Sequence, residues 1–151
     1  MQSELTKILI SLTKDYAHEP TFGSEFAAGA DLYACIDPDE IVEIKPNETA
    51  KISAGIKTEI PNGYVGLVFA RSGLATKQGL RPANCIGVID PDYRGEIIVA
   101  LHNDTDHIQT INPRERIAQA ILFSRYEIIW KETDESNETN RGAGGFGSTG
   151  I

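Results

Sequence analysis

The sequence predicts a single all-β domain, a barrel or a sandwich, with one short helix. The chain has 151 residues, which suits one domain with its own core. Its hydrophobic fraction of 40% and charged fraction of 24% are typical of a globular protein. Short runs rich in β-branched residues alternate with Gly, Pro, Asn and Asp, and the sequence has no long helical periodicity.

Eight strands are predicted from these runs, each bounded by turn-forming residues such as Pro46-Asn47 and Asn112-Pro113. They are Lys7–Leu12, Ile41–Ile44, Thr49–Ile60, Tyr64–Ala70, Glu96–Asn103, Ile108–Ile111, Ile117–Phe123 and Ile128–Trp130. The predicted helix, Ser72–Gly79, begins at a serine suited to an N-cap and ends at a glycine suited to a C-cap. The all-β domain is therefore predicted over residues 1–130.

Residues 131–151 are predicted to form a polar linker followed by a flexible glycine-rich arm. Residues 131–140 are almost wholly polar, and the sequence then reads RGAGGFGSTGI, with five glycines. Glycine at this density cannot hold one conformation alone, so a disordered tail is one interpretation. The single arginine and the single phenylalanine in the arm favour the other interpretation, a lid that closes over a ligand.

The net charge of −8 argues against nucleic acid or an anionic membrane as a partner, since both require a basic surface. All seven arginines nevertheless lie between positions 71 and 141, and arginine binds phosphate in a fixed geometry. Cys35 and Cys85 have no CxxC spacing, which argues against zinc. The apolar run Ile8–Leu12 is too short for a signal peptide or a membrane span, so we expect a cytoplasmic protein.

Three sites along the chain carry residues that suit phosphate chemistry, each with a plainer alternative. At Arg71-Ser72-Gly73 the free N–H groups of a helix start attract anions, but the segment can also be an ordinary cap with an exposed arginine. The pair Arg114 and Arg116, with Gln119, can contact phosphates or form ion pairs with neighbours. Asp31 can hold a metal-bound water or cap a turn.

The segment Asn84–Asn103 contains two apolar strands around the turn Pro91–Gly95, which predicts a hairpin. Asp90 ends the incoming strand, where a carboxylate beside a cleft can act as a general base. Tyr93 can lie flat against a sugar. The alternative is that Asp90 and Asp92 only bond to the backbone of their own turn.

Five segments in this order resemble the ordered motifs of the trimeric dUTPase family, and they span nearly the whole chain. They are Ala28–Ala34 (AGADLYA), Ala70–Leu74 (ARSGL), Gly87–Glu96 (GVIDPDYRGE), Arg116–Gln119 (RIAQ) and Arg141–Thr149 (RGAGGFGST). The resemblance implies a jelly-roll-type β-barrel that assembles as a homotrimer with active sites between subunits. It also implies Mg²⁺-dependent hydrolysis of dUTP to dUMP and pyrophosphate, which limits uracil in DNA and supplies dUMP for dTMP synthesis.

The resemblance also assigns roles to individual residues. Asp90 would orient and deprotonate the water that attacks the α-phosphorus. Uracil would be bound by main-chain atoms and one amide, at Val88, Ile89, Ile98 and Asn84, and Tyr93 would pack against the deoxyribose. The phosphates would be shared by Arg71, Ser72, Gly73 and Gln119. Asp31 would act through the water shell of a Mg²⁺ held mainly by the triphosphate. The tail would supply Arg141 to phosphate and Phe146 to uracil, with Gly147 beside them.

Two positions depart from the family pattern, and two other functions share some of its features. Arg114-Glu115 stands where Gly-Asp is common, which puts the turn geometry there in question, and Pro91 restricts Asp90 to extended conformations. A dCTP deaminase relative would have the same hairpin but a glutamate at the position of Ala100. The second alternative is a non-catalytic nucleotide-sensing trimer. Such a protein would not need every residue that the chemistry requires, whereas all of them are present here.

Overall fold

The computed structural model describes residues 6–134 and 137–146, and this part of the chain is mostly β-strand with one short helix, as predicted. In chain order the elements are β1 (Leu9–Leu12), β2 (Thr21–Phe22), β3 (Ala30–Tyr33), β4 (Val42–Ile44), β5 (Thr49–Glu59), β6 (Tyr64–Phe69), α1 (Ser72–Gln78), β7 (Leu80–Pro82), β8 (Gly87–Ile89), β9 (Glu96–Asn103), β10 (Gln109–Ile111) and β11 (Arg116–Ser124). None of the helices in the described ranges has the length and apolar character needed to cross a membrane.

The strands form two larger sheets and one small one, and the pairings are antiparallel. One sheet has the order β1-β5-β9-β7, the second has the order β2-β3-β11-β6-β8, and β10 pairs with β4. A single apolar core cluster draws on strands of all three sheets and on the helix. The result is the jelly-roll-type fold that the sequence predicts, with chain crossovers between sheets rather than simple neighbouring hairpins.

Strand β9 illustrates how the sequence pattern sets the two faces of a sheet. Ile97, Val99 and Leu101 are buried at alternate positions, while Ile98 between them is 47% exposed. Side chains of a strand point to opposite faces in turn, so this alternation directs one face into the core and leaves the other outward. The strand begins and ends where the sequence predicts.

The predicted C-terminus of the helix is confirmed, but its predicted N-cap is wrong. Gly79 has a φ of 64°, and its N–H bonds to the carbonyl of Leu74, as expected of a C-capping glycine. The N-cap residue is Arg71, without a side-chain capping bond, and Ser72 is the first helical residue. The prediction of a serine cap was wrong because Arg71 still has the extended conformation that defines the cap position.

Seven of the eight predicted strands form, with ends that differ by up to two residues. The eighth, Ile128–Trp130, is wrong, because these residues form no strand and their side chains are 68–93% exposed. A strand needs a neighbour for its backbone hydrogen bonds, which apolar composition alone does not provide. Four short strands are absent from that list: β2, β3, β7 and β8, of which β8 was predicted only as the incoming strand of the hairpin before Pro91.

The predicted hairpin around Pro91–Gly95 also needs correction. Strand β8 pairs with β6, whereas β9 pairs with β5 and β7, so the two strands that flank the turn belong to different sheets. The turn itself exists, since the N–H of Tyr93 bonds to the carbonyl of Asp90 at 3.1 Å. The segment is therefore a loop that crosses from one sheet to the other and is held by both.

Candidate active site

Two arginines converge on one buried carboxylate at the junction of β3, β11 and the start of α1. The Nε of Arg71 donates to Oδ1 of Asp31 at 2.7 Å, and Nη1 of Arg116 donates to Oδ2 at 3.2 Å. The Asp31 side chain is only 13% exposed, and the Arg71 side chain 27%. Because both oxygens are bonded, Asp31 holds Arg71 in one orientation at the edge of the helix start. We call these three residues the arginine cluster.

Gln119 joins the arginine cluster through the register of β11. It lies opposite Asp31 on β3 and opposite Phe69 on β6, and its Nε2 donates to the carbonyl of Ala70 at 2.9 Å. A Cβ built on Gly29 would lie 2.7 Å from Oε1 of Gln119, so glycine is required there for the amide to keep its place. The sequence pattern did not single out Gly29.

The start of α1 lies beside the arginine cluster and faces a concavity. Ser72 and Gly73 are exposed, and a cavity of about 330 Å³ is lined by Arg71, Gly73, Lys77, Glu115 and Arg116, among others. The first N–H groups of a helix have no partner within the helix, so they are free to bind an anion here. The predicted phosphate residues Arg71, Ser72, Gly73 and Gln119 are thus brought together.

The turn before β11 explains why a glycine is common ahead of the fourth motif. Arg114 has a φ of 60°, a left-handed conformation that glycine adopts without strain. The turn forms nevertheless: the N–H of Arg114 bonds to the carbonyl of Ala34 at 2.9 Å, and Oε2 of Glu115 accepts from the N–H of Asn112 at 3.0 Å. The Arg114-Glu115 departure therefore leaves the turn, and with it Arg116, in place.

The loop between β8 and β9 presents Asp90 and Tyr93 to solvent. Asp90 is exposed, and Tyr93 is 42% exposed with its hydroxyl bonded to the carbonyl of Glu96 at 3.0 Å. Nη1 of Arg94 bonds to two loop carbonyls, those of Pro91 at 2.7 Å and Tyr93 at 3.0 Å. The loop is thus internally bonded, which fixes Asp90 relative to Tyr93.

Exposed apolar side chains and one amide flank this loop. Val88 on β8 is 61% exposed, Ile98 on β9 is 47% exposed, and Ile89 is partly buried. Asn84 is exposed, and its Nδ2 lies close to Gly87, 3.7 Å from where a Cβ would stand. β8 is the edge strand of its sheet and pairs with β6 on one side.

Glu96, at the first position of β9, anchors the outgoing end of the loop. Its carboxylate accepts a hydrogen bond from the hydroxyl of Thr13. This bond, more than any other interaction, lowers the pKa of Glu96, with smaller contributions from the Ser53 side chain and the charges of Lys14 and Lys57. The sequence assigned no role to Glu96, because its partners are far away in the chain.

The predicted tail residues do not reach these groups in the structure. Nε of Arg141 donates to the carbonyl of Gly144 at 2.9 Å, within the tail itself. Phe146 is fully exposed, with a φ of 48°. Gly147, also predicted to bind substrate, lies outside the described residues.

Comparison with known proteins gives one consistent result. A family model described as dUTPase matches residues 15–150. Deoxyuridine 5'-triphosphate nucleotidohydrolase of Desulfitobacterium hafniense (strain DSM 10664 / DCB-2) is 44% identical over 133 residues, 87% of each chain. The protein of that name from Bordetella avium (strain 197N) is 36% identical over 151 residues, 99% of each chain.

The fold is also similar to solved structures. The dUTPase of Staphylococcus bacteriophage 80alpha, determined with dUPNHPP, superposes with a TM-score of 0.86 at 27% sequence identity. The match covers 97% of this chain and 100% of the phage chain.

Proposed function

The chain belongs to the dUTPase family, enzymes that hydrolyse dUTP, and on that premise we propose that water attacks the α-phosphorus of dUTP to give dUMP and pyrophosphate. This reaction removes a precursor of uracil in DNA and supplies dUMP for dTMP synthesis in the cytoplasm. The observation that carries the proposal is that the chain has both a fixed arginine cluster suited to phosphate and an exposed carboxylate, Asp90, on a loop held by its own backbone bonds.

Asp90 is the general base of the proposed reaction. Water at neutral pH is a poor nucleophile, so it must be held in line with the scissile bond and lose a proton as it attacks. Asp90 is exposed and stands where β8 ends, and its carbonyl closes the turn with Tyr93. A carboxylate placed in this way accepts the proton while the loop keeps its position.

Recognition of the nucleoside falls to the two flanks of the same loop. Tyr93 packs against the deoxyribose and leaves no room for a 2′-hydroxyl, which excludes UTP. Main-chain groups at Val88, Ile89 and Ile98, with the amide of Asn84, bind the edge of uracil. A site made mainly of backbone tolerates the ordinary apolar side chains found here.

The phosphates bind at the arginine cluster and the helix start. Arg71, Ser72, Gly73 and Gln119 supply the donors, and Asp31 keeps the guanidinium of Arg71 in place. Fixed donors aimed at phosphate stabilise the charge that moves onto the pyrophosphate as its bond to the α-phosphorus breaks. Asp31 therefore acts on the phosphates through Arg71.

The strand register supports a homotrimer with active sites between subunits. Ile89 pairs with Gly66 near one end of β6, so Asp90 lies opposite Val65, whereas Arg71 follows the other end of β6. Arg71 is six positions after Val65, and six positions of extended chain span about 20 Å. Both side chains have to reach the same triphosphate, so Arg71 of one subunit serves a nucleotide that meets Asp90 of another.

Exposed apolar residues also support assembly. Tyr126, Ile128, Ile129 and Trp130, with Glu127 between the first two, are 68–93% exposed after β11. Exposed apolar side chains grouped in this way are typical of a protein–protein interface.

Magnesium fits this site as an ion held on the triphosphate. Within residues 6–134 and 137–146, no three His, Cys, Asp or Glu side chains are grouped as a metal site, and both oxygens of Asp31 bond to arginine. Mg²⁺ keeps several waters and commonly binds through substrate phosphates with one or two carboxylates. The ion would offset phosphate charge, and Asp31 is the carboxylate placed to bond its water shell.

The glycine-rich tail is the lid of the proposed site. Arg141 contacts phosphate, Phe146 stacks on uracil, and Gly147 lets the backbone approach the nucleotide closely. Because ordering such a segment costs conformational entropy, it seats only when nucleotide is bound. In the part of the tail that the structure describes, Arg141 bonds to Gly144 and Phe146 is fully exposed, which is consistent with that order of events.

Release of pyrophosphate from dUTP, UTP, dTTP and dCTP, each with and without Mg²⁺, tests the proposal. We expect rapid release from dUTP with Mg²⁺ and little from the other three nucleotides. Binding of dUTP without pyrophosphate release would instead favour a nucleotide sensor. Ammonia release from dCTP would indicate a deaminase.

A further inference from the structure

The ring of Tyr93 folds back over its own chain and occupies the space beside Gly95. A Cβ built on Gly95 would lie 2.2 Å from Oη, 2.4 Å from Cζ and 2.8 Å from Cε2 of Tyr93. Distances this short are incompatible with any side chain at position 95 unless the ring or the loop moves. The φ of Gly95 lies outside the left-handed region, so the backbone itself does not require glycine.

The ring is fixed at its far end by a carbonyl that the fold holds rigidly. Oη of Tyr93 donates to the carbonyl of Glu96 at 3.0 Å. Glu96 is paired with Lys57 on β5, and its carboxylate accepts a hydrogen bond from Thr13. The hydrogen bond from the Tyr93 hydroxyl and the absence of a Cβ at Gly95 together hold the ring in one position. Its outer part is still exposed to solvent.

We propose that Gly95 is a specificity-determining residue: by lacking a side chain it seats the Tyr93 ring where the ring excludes a 2′-hydroxyl. The inference rests on the proposed function, because it adds a second residue, besides Tyr93, that decides between dUTP and UTP. Gly95 touches neither nucleotide and acts through the ring. Adding one methyl group at position 95 displaces the ring and opens space beside the sugar.

The variant Gly95→Ala tests this, measured as the ratio of kcat/KM for dUTP to that for UTP. We expect the ratio to fall by about tenfold or more, mainly through a gain in UTP hydrolysis. Gly23→Ala is the matched control, because a Cβ there meets nothing within 4 Å, and its ratio should equal that of the parent protein. Thermal unfolding and oligomeric state are compared for all variants.

The double variant Tyr93→Ala/Gly95→Ala separates seating of the ring from a general disturbance of the loop. Without the ring, the new Cβ has nothing to displace, so Gly95→Ala should change the ratio by less than about twofold in the Tyr93→Ala background. An unchanged or raised ratio in Gly95→Ala, or an equal fall in both backgrounds, overturns the inference. Failure of the parent protein to hydrolyse dUTP would instead overturn the proposed function.

Discussion

The carboxylate of Asp31 accepts a hydrogen bond from Nε of Arg71 at 2.7 Å, although 40 positions separate the two residues in the chain. The contact follows from the register of the five-stranded sheet, in which Gln119 lies between Asp31 on β3 and Phe69 on β6. An acidic residue in the first motif is thereby bonded directly to the arginine of the second. This bond orients Arg71, and it supports the proposal that Asp31 acts on the phosphates through Arg71 as well as through the water shell of a metal.

Asp31→Asn should weaken both the site and the fold. The neutral amide can accept from only one arginine and leaves charged donors without a charged partner. We expect the free energy of unfolding to fall by about 1–3 kcal/mol. We also expect KM for dUTP to rise, because Arg71 is no longer oriented. Steady-state kinetics and urea unfolding measure the two effects.

Titration with Mg²⁺ distinguishes the two roles of Asp31. If the residue acted only through the metal's water shell, excess Mg²⁺ would restore the activity of Asp31→Asn. We expect the raised KM to persist at saturating Mg²⁺. Full rescue would contradict the assignment of Asp31 to Arg71.

Asp90→Asn should retain nucleotide binding and lose catalysis. The amide cannot accept the proton from the attacking water, so turnover should fall by about 10²–10⁴-fold. The side chain is exposed, so little change in stability is expected. Pyrophosphate release gives turnover, and calorimetry with a non-hydrolysable dUTP analogue gives affinity. Near-normal turnover would exclude Asp90 as the base.

Mixing two inactive variants tests whether the active site lies between subunits. We expect Arg71→Ala and Asp90→Asn each to disable every site of the proposed trimer. In mixed trimers, an intact Arg71 from one subunit can meet an intact Asp90 from another. Equal amounts mixed at random should recover about a quarter of the parent activity. Mass spectrometry verifies that mixed trimers form, and their complete inactivity would place both residues in one chain.

Truncation after Asn140 should preserve the folded domain and its assembly but remove most activity. Arg141 bonds within the tail and Phe146 is fully exposed, so neither contributes to the packed core. Loss of the phosphate donor and the lid should lower kcat/KM by about 10²-fold or more. Circular dichroism and size-exclusion chromatography monitor folding and assembly. A fully active truncated protein would exclude a lid.

Glu96→Gln should remove an acid-sensitive part of the stability. The Thr13 hydroxyl, more than any other group, lowers the pKa of Glu96 in the folded protein, so folding favours the ionised carboxylate. That stabilisation is present above the pKa of the unfolded chain and is lost as pH falls through the lower folded pKa. The parent should thus be more stable than the variant at about pH 7, and the difference should shrink by about pH 3. A difference in melting temperature that is independent of pH would contradict this.

Local patterns in the sequence were sufficient where the structure depends on local rules. Strand β9 follows from strict alternation of apolar residues, and the end of α1 follows from Gly79. The sequence pattern was insufficient where a partner far away in the chain decides whether a strand or a contact forms. Ile128–Trp130 has the composition of a strand but pairs with no strand among the residues that the structure describes, and the bond between Asp31 and Arg71 depends on sheet order.

In the candidate site, too, the sequence predicted the motif residues but not the contacts that depend on distant partners. The motifs predicted Arg71, Gln119, Asp90 and Tyr93 as site residues. The structure groups the first two, and it places the last two on one loop joined by a main-chain hydrogen bond. It does not bring Arg141 or Phe146 to them. Gly29 and Gly95 were not predicted as supports, because only the position of a neighbouring side chain reveals that a Cβ has no room.

The loop that carries Asp90 and Tyr93 begins on one sheet and ends on the other. Its span is therefore set by the core side chains that keep the sheets apart, such as Val68 on β6 and Ile97 on β9. A substitution in that core would change the angle between Asp90 and Tyr93 without touching either residue. On the roles proposed for these two residues, accuracy in choosing between nucleotides depends on the whole interior, and mild core mutations should erode it while the protein is still folded and abundant.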